Sequence, residues 1–202
     1  MKTAILLDLD RTIFDTNRFW QDVSDRIEAI YGAEKLAEVK RVWDEKLAQS
    51  NIVDAKSIYG KSGVDIDKIS VTGDYIFPDA REFLKNNENA VILSAGDDFT
   101  QRWKAASAGL KLPMIVVDES KKAQWLAKNC ERADGYEILG QKFDAIEFYD
   151  DTISNFVGFE KLTNAKGWLI ARTDKTKQAI KTAVLPENVK IIAGFSEISN
   201  RL

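Results

Sequence analysis

Five short apolar runs, separated later in the chain by helical patterns, most constrain the fold of this sequence. Each run is rich in Val, Ile and Leu on both faces, as expected for strands of a parallel sheet that helices cover. Strands that alternate with helices are joined by right-handed crossovers, so the pattern predicts an α/β fold with a Rossmann-like, doubly wound parallel sheet. The predicted strands are Ala4–Leu7, Ala90–Leu93, Met114–Val117, Ile146–Tyr149 and Trp168–Ala171.

The interval 15–76 has little strand pattern and predicts a helical insertion after the first strand. Two series of apolar residues recur at helical spacing within it, and the glycine-containing stretch 59–63 interrupts them. We therefore expect a core formed by residues 1–14 and 77–202, with a helical cap over 15–76. The two series are Phe19, Val23, Ile27 and Ile30, then Leu36, Val39, Trp43 and Leu47. A third such face, after the second strand, comprises Phe99, Trp103, Ala106 and Leu110.

Composition excludes several classes of function. The chain has no histidine, which rules out Ser-His-Asp and Cys-His catalysis and a zinc site with histidine ligands. The net charge of -3 argues against binding to nucleic acid, which requires clustered Lys and Arg. The first apolar run meets Asp8 too early for a signal peptide or a membrane span, so we expect a cytoplasmic protein. The lone Cys130 predicts a buried thiol and no internal disulfide.

Two carboxylates, Asp8 and Asp10, follow the first predicted strand. Ligands of open parallel sheets bind at the carboxyl ends of the strands, and side chains two residues apart share a face of an extended chain. Two such carboxylates repel each other unless a cation or a shared proton lies between them, and Mg²⁺ is a natural candidate. A turn or a helix N-cap at the strand end is an equally good interpretation of the pair alone.

The next two strand ends carry groups that suit an anion. Ser94 ends the second strand with Gly96 behind it, and a hydroxyl with freed backbone amides before a helix can bind an anion, although a simple N-cap also explains it. Lys121 and Lys122 follow the third strand at the start of a predicted helix. Cations there oppose the helix dipole, so a lysine directed at a phosphate is as good an interpretation as a solvated one.

The fourth strand ends in a second acidic pair, Asp150 and Asp151, with Asn155 one helical turn later. These residues suit N-caps, but a metal site shared with Asp8 also needs carboxylates at this strand end. The order of the strand-end groups, Asp-x-Asp-x-Thr, then Ser, then Lys, then Asp-Asp, is the strongest signal in the sequence.

In this order the chain resembles the haloacid dehalogenase (HAD) superfamily of hydrolases over nearly its whole length. The resemblance implies a sheet ordered 5-4-1-2-3, in which the first and fourth strands are neighbours. The stretches similar to the first to fourth family motifs are DLDRT, VILS, KK and FYDDTISN, and YIFPDAREFLKN is similar to the segment that re-enters the core after a cap.

The resemblance also implies catalytic and metal-binding roles. Asp8 would be the nucleophile that forms an aspartyl-phosphate, and Asp10 the general acid and then the general base. Asp8, the main-chain carbonyl of Asp10, and Asp151 would bind Mg²⁺. Asp150 and Asn155 would lie in the outer shell of the metal, with Asn155 standing where many relatives have aspartate.

Phosphate binding is implied for Ser94, Ala95 and one lysine. We favour Lys122 over Lys121 because the apolar helix face follows it at once. Arg11 stands where glycine is frequent in the family; it either adds a cation near the site or points to the surface, and we favour the surface.

The function expected from these residues is that of a Mg²⁺-dependent phosphatase acting on a small phosphorylated metabolite. Asp10 favours phosphoester chemistry, since dehalogenating members of the superfamily lack a carboxylate there and need no metal. A phosphomutase and a non-catalytic module that binds phosphate or a partner are the alternatives. Neither the substrate nor the oligomeric state follows from the sequence.

The sequence also predicts the effect of Asn substitution on stability. Because clustered carboxylates repel each other, replacing Asp8 or Asp10 by Asn should leave stability unchanged or raise it.

Overall fold

A computed structural model of the chain describes residues 1–49, 52, 54–118 and 121–199. The strands in these residues are β1 (Thr3–Leu7), β2 (Val91–Ala95), β3 (Met114–Val117), β4 (Glu131–Arg132), β5 (Gly135–Ile138), β6 (Gln141–Phe143), β7 (Ala145–Asp150), β8 (Ala165–Ile170) and β9 (Val189–Ile192). The α-helices are α1 (Thr16–Tyr31), α2 (Ala33–Leu47), α3 (Ala55–Lys61), α4 (Pro78–Lys85), α5 (Asp98–Ser107), α6 (Lys122–Asn129), α7 (Asp174–Ile180) and α8 (Ser196–Ser199). Short 3-10 helices span Ile66–Lys68, Ile153–Phe156 and Phe159–Lys161.

Six of the strands form one parallel sheet in the order β3-β2-β1-β7-β8-β9. This confirms the predicted α/β fold and the order 5-4-1-2-3 for the five predicted strands, to which β9 adds a sixth. Leu7 pairs with Tyr149, so the carboxyl ends of β1 and β7 lie side by side. The residues that follow these two strands therefore meet at one edge of the sheet.

The sheet is buried on both faces, which explains the continuous apolar runs. Leu7, Ile92 and Tyr149 belong to a hydrophobic cluster on one face. Their neighbours in the chain, such as Leu6 and Phe148, belong to a second cluster on the other face. Because side chains alternate along a strand, apolar residues are needed at every position of a strand covered on both sides.

The interval 15–76 contains α1 and α2, as the two helical patterns predict, and a third helix, α3, that they do not. Buried side chains of these helices continue the cluster that begins at β1. The predicted interruption at 59–63 is wrong at its start, because Tyr59, Gly60 and Lys61 lie within α3; the chain turns only at Gly63, where φ is +66°. The ends of the two predicted faces are solvent-exposed, with Ile30 at 39% and Leu47 at 44%. That this interval is a separate cap remains a prediction.

Strands β4, β5 and β6 form a small antiparallel sheet that the sequence analysis did not predict. The turn between β5 and β6 places Leu139 at φ +51° and Gly140 at φ +76°. Two-residue hairpin turns with two positive φ angles usually carry Asn or Asp before the Gly. With leucine at that position, the sequence does not show the usual signal for this turn.

No helix in the described ranges has the length and apolarity needed to cross a membrane.

The fifth predicted strand is displaced, since β8 runs from Ala165 to Ile170 and leaves Ala171 outside. Lys166 and Gly167 break its apolar run. A Cβ atom on Gly167 would lie 2.8 Å from Val189 Cγ2 and 2.9 Å from Phe156 Cε1. A glycine is therefore required here for β8 to pack closely against its neighbours.

Candidate active site

Asp8 is the first residue after β1, and its backbone N–H donates to Tyr149 O at 2.8 Å. Its carboxyl group is buried beside the ammonium group of Lys122, which donates to Asp8 Oδ1 and, at 2.8 Å, to Asp150 Oδ2. The other oxygen of Asp8, Oδ2, accepts no hydrogen bond from the described residues. Lys122 is 1% exposed whereas Lys121 is exposed, so Lys122 is the lysine that faces the strand ends.

The acidic pair after β7 is buried beside Asp8. Asp150 accepts hydrogen bonds from Asn155 Nδ2 at 3.0 and 2.9 Å, and from the backbone N–H of Thr152 at 2.8 Å. Asp151 accepts from the hydroxyl of Thr152 at 2.9 Å. These contacts fix both carboxylates at the sheet edge, next to β1.

Carboxylate oxygens of Asp8, Asp150 and Asp151 lie within 4.8 Å of one another, in a group able to hold a metal ion. The sequence analysis assigned Asp150 to an outer shell, whereas the structure brings its carboxylate into this group. The side chain of Asp10, for which only a main-chain contact was expected, does not belong to the group. Three buried carboxylates provide the hard oxygen ligands that suit Mg²⁺.

Burial sets the ionisation of this acidic group. It raises the pKa of Asp8 to about 7, with Lys122 opposing the shift and Asp150 and Asp10 adding to it. Burial and repulsion from Asp8 raise the pKa of Asp151 to about 6, although Arg11 opposes the shift. The pKa of Asp150 is raised as well, chiefly by burial. A cation bound among these oxygens would favour their ionised forms, so the group fits a divalent metal.

Asp10 is held by a second buried lysine that the sequence analysis missed. Lys104 on α5 donates to both oxygens of Asp10, at 2.7 and 2.6 Å, and the hydroxyl of Thr16 donates to one of them at 2.6 Å. Burial alone would raise the pKa of Asp10, but Lys104 and Thr16 outweigh it and hold that pKa below its ordinary value. Asp10 is therefore ionised at neutral pH.

The buried face of α5 differs from the predicted one. Phe99 is 37% exposed and Ala106 is exposed, whereas Thr100, Gln101 and Lys104 are buried. These three polar residues recur at helical spacing and lie toward the sheet edge rather than solvent. A polar stripe on the helix that follows Ser94 is the signal from which Lys104 could have been found.

Ser94 lies behind the pocket, whereas Ala95 and Gly96 after it line the pocket. Ser94 is fully buried, and its hydroxyl has no hydrogen-bond partner in the described part of the chain. Gly96 adopts φ +143°, and a Cβ atom there would lie 2.6 Å from Gln101 Nε2. Gln101 in turn donates to Ala95 O at 3.1 Å. This turn is thus packed tightly against α5 and leaves a buried hydroxyl without a partner.

These elements surround one pocket of about 310 Å³. Of the predicted site residues it brings together Asp8, Asp10, Ala95, Lys122, Asp151 and Asn155, whereas Asp150 and Ser94 are buried behind the lining. Thr16, Asn17 and Trp20 of α1 also line it. The helical interval therefore contributes one wall of the pocket.

Comparison with known proteins agrees with this architecture. The chain is 14% identical to a protein from Burkholderia xenovorans described as a haloacid dehalogenase-like hydrolase, with a TM-score of 0.71 over 98% of this chain and 95% of that one. It is 15% identical to an L-2-haloacid dehalogenase, with a TM-score of 0.56 over 100% and 99%. It is 14% identical to a haloacid dehalogenase-like family hydrolase from Xanthomonas campestris, with a TM-score of 0.53 over 100% of this chain and 91% of that one. The chain has the haloacid dehalogenase-like fold. No family model and no curated protein sequence matches it.

The haloacid dehalogenase-like fold accounts for the meeting of the four motifs. Their residues follow β1, β2 and β7 or begin α6, and these positions surround the pocket at one end of the sheet. The resemblance drawn from the motifs is confirmed for the fold, while the roles of the individual residues remain predictions.

Arg11 is the position at which this chain departs from the glycine frequent in the fold family. It adopts φ +60°, the left-handed region in which glycine is favoured. Its side chain is 41% exposed, yet its Nε lies 3.3 Å from Asp151 Oδ2. The expectation that Arg11 only points to the surface is therefore wrong, because its charge is drawn to the buried acidic group.

Proposed function

We propose that the protein is a Mg²⁺-dependent phosphatase that hydrolyses a small phosphorylated metabolite through an aspartyl-phosphate on Asp8. The observation that carries the proposal is the second carboxylate, Asp10, which lines the same pocket as Asp8. Dehalogenating members of the superfamily lack a carboxylate at the corresponding position. The structural neighbours include a dehalogenase, so Asp10 is the residue that separates the two chemistries.

Asp8 is suited to be the nucleophile. Asp8 lines the pocket, and Lys122 holds its Oδ1 whereas its Oδ2 accepts no hydrogen bond from the described residues. Attack by this oxygen on phosphorus forms a bond to Asp8 and releases the leaving-group oxygen, and water then breaks the new bond. The ammonium group of Lys122 meets the negative charge that develops on the phosphoryl oxygens.

The acidic group of Asp8, Asp150 and Asp151 would hold the metal. Mg²⁺, when bound, supplies positive charge to the phosphoryl oxygens in the transition state. Charge favours a cation here: these three carboxylates and Asp10 face three protein cations, which are Lys104, Lys122 and Arg11. The hydroxyl of Ser94, buried without a partner among the described residues, is suited to donate to a phosphoryl oxygen.

Asp10 is suited above all to the second displacement. Because Lys104 lowers its pKa, Asp10 is in the ionised form that accepts a proton from the attacking water. Protonation of the leaving group in the first displacement requires the minor, protonated form. We therefore expect phosphate esters with good leaving groups to be the better substrates.

We propose that residues 15–76 act as a cap. The pocket beside Asp10 is lined by three residues of α1, namely Thr16, Asn17 and Trp20. Trp20 packs edge-to-face on Trp43 of α2, with 4.7 Å between the ring centroids. A helical wall over the sheet edge excludes water from the acyl phosphate and contacts the leaving group.

The proposal is tested by measuring release of inorganic phosphate from phenyl phosphate and from an alkyl phosphate, with Mg²⁺ and after chelation. We expect Mg²⁺-dependent release, none from Asp8→Asn, and an Asp10→Asn variant that retains relatively more activity on phenyl phosphate. Lys121→Ala, which alters an exposed lysine, is the control. Metal-independent release of halide from a 2-chloroalkanoate, with no phosphate release from either ester, would overturn the proposal.

A further inference from the structure

We propose that the pocket at Asp8 continues past Arg11 into a second anion-binding subsite, which holds a further oxyanionic group of the substrate. The inference rests on the proposed function, because it concerns the substrate of the same site. It implies a phosphate ester that also carries a carboxylate or a second phosphate. The subsite is formed by Arg11, Thr152, Ser154, Thr173, Lys175 and Thr176.

Arg11 presents unused hydrogen-bond donors at this place. Its Nε lies 3.3 Å from Asp151 Oδ2, and its two terminal nitrogens donate no hydrogen bond to the described residues. Its backbone at φ +60° is a conformation that an arginine adopts only at a cost, which glycine would avoid. Arg11 thus places at the wall of the cavity a guanidinium group whose terminal nitrogens are free to donate to a ligand, and such a group can bind an anion.

The subsite adjoins the catalytic pocket. It has a volume of about 210 Å³. Arg11, Asp151 and Thr152 line both this cavity and the pocket that contains Asp8. A ligand whose phosphoryl group lies at Asp8 can therefore extend along the guanidinium group into the second cavity.

The lining of the cavity suits an oxyanion. It contains the cations Arg11 and Lys175 and the hydroxyl group of Ser154, whereas the hydroxyl groups of Thr152, Thr173 and Thr176 are hydrogen-bonded within the protein. Lys175 forms no ion pair within the described residues, whereas Asp174 beside it lies 3.5 Å from Lys177. Asp151 is the one carboxylate among the residues that line this cavity, and it faces Arg11 Nε. The planar pair of terminal nitrogens of an arginine binds carboxylate or phosphate by two parallel hydrogen bonds.

The test compares phosphonates that differ only in a terminal carboxylate. Phosphonoacetate, 3-phosphonopropionate and 4-phosphonobutyrate are each paired with the alkylphosphonate of the same length, and binding in the presence of Mg²⁺ is measured by titration calorimetry. We expect one carboxylate of the series to bind the wild-type protein about tenfold more tightly than its alkyl partner, as a charge-assisted bidentate contact would give.

Three variants locate the effect. Arg11→Gly suits the left-handed backbone and should reduce the carboxylate preference to about one, while Lys175→Gln should reduce it in part. Lys177→Gln, on the same helix but outside the cavity lining, is the matched control and should keep the preference. Circular dichroism verifies that each variant is folded.

An equal affinity for both members of every pair in the wild type, or a preference that survives in Arg11→Gly, would overturn the subsite. Failure of the proposed function gives a different result. In that case no phosphate ester is hydrolysed, while the calorimetric preference for the carboxylate and its loss in Arg11→Gly are still measured and still decide the inference.

Discussion

The ion pair between Lys104 and Asp10 supports a prediction about stability that runs against the sequence analysis. Lys104→Met keeps the length of the side chain and removes the ammonium group from both oxygens of Asp10. Removing one partner of a fully buried pair costs about 3 to 5 kcal/mol. The Asp10 side chain is 21% exposed and keeps the hydroxyl of Thr16, so water and Thr16 should reduce the cost to about 2 kcal/mol.

The reverse change should cost more. Asp10→Asn leaves the ammonium group of Lys104, whose side chain is 4% exposed, without its carboxylate, at a cost of about 3 kcal/mol. In the double variant neither a buried cation nor a buried anion lacks its partner. We expect the free energy of unfolding of the double variant to fall by about 3 kcal/mol, whereas the two single losses add to about 5 kcal/mol. The difference is a coupling free energy of about 2 kcal/mol.

The assay is urea unfolding at pH 7, followed by tryptophan fluorescence, for the wild type, the two single variants and the double variant. Lys85→Met is the control, because Lys85 and Glu82 form an exposed pair at 2.8 Å for which a change below about 0.5 kcal/mol is expected. Additive losses in the cycle, or a Lys104→Met protein as stable as the wild type, would refute the reasoning.

Further expectations concern the metal, the lysines, pH and the cysteine. Phosphate release should require Mg²⁺ and be suppressed by Ca²⁺, whose larger and looser coordination displaces Asp8; equal turnover in Ca²⁺ would contradict the metal assignment. Lys122→Ala should impair turnover far more than Lys121→Ala in the same assay, and the opposite ranking would contradict the assignment of Lys122. Without metal, the free energy of unfolding should fall as pH rises from 6 to 8, because the raised pKa values of Asp8, about 7, and Asp151, about 6, favour their protonated forms in the folded state; a rise over that range in chelator would contradict this. Cys130 is buried, and burial raises its pKa to about 11, so a thiol reagent at pH 8 should label it only after unfolding.

The elements that could be predicted from the sequence are those whose environment leaves a local pattern. The five predicted strands are apolar on both faces, and the sheet order that the family resemblance implies places Asp8 beside Asp151. Strand β9 lies at the sheet edge and reads Val-Lys-Ile-Ile, with two exposed residues between buried ones. Four residues without an alternating pattern are too few to distinguish a strand from a loop.

Lys104 could not be predicted by the same reasoning because its partner is remote in sequence. A lysine in the middle of a helix is ordinarily solvated, and 94 residues separate it from Asp10. The same contact changes the expected effect of Asn substitution. Repulsion between Asp8 and Asp10 is the only interaction visible from the sequence, whereas in the structure each carboxylate also contacts a buried lysine. Removing the negative charge of Asp10 therefore leaves the buried Lys104 without its carboxylate, and stability should fall. A neutral Asn at Asp8 should cost little, because burial raises the pKa of Asp8 to about 7 and Lys122 keeps Asp150 as a partner.

The carboxylates of the site differ in how many of their oxygens protein groups already hold, and this difference separates their chemical roles. Lys104 contacts both oxygens of Asp10, and Asn155 contacts both oxygens of Asp150. Asp151 has one oxygen on Thr152 and the other facing Arg11. Asp8 keeps one oxygen, Oδ2, that accepts no hydrogen bond from the described residues. An oxygen that accepts no hydrogen bond presents its lone pairs to an electrophile more readily than one held by an ammonium group, so this difference supports Asp8 rather than Asp10 as the proposed nucleophile. Lys122 contacts one oxygen of Asp8 and Lys104 contacts both oxygens of Asp10, and these contacts are in accord with the proposed roles of Asp8 as nucleophile and of Asp10 in proton transfer.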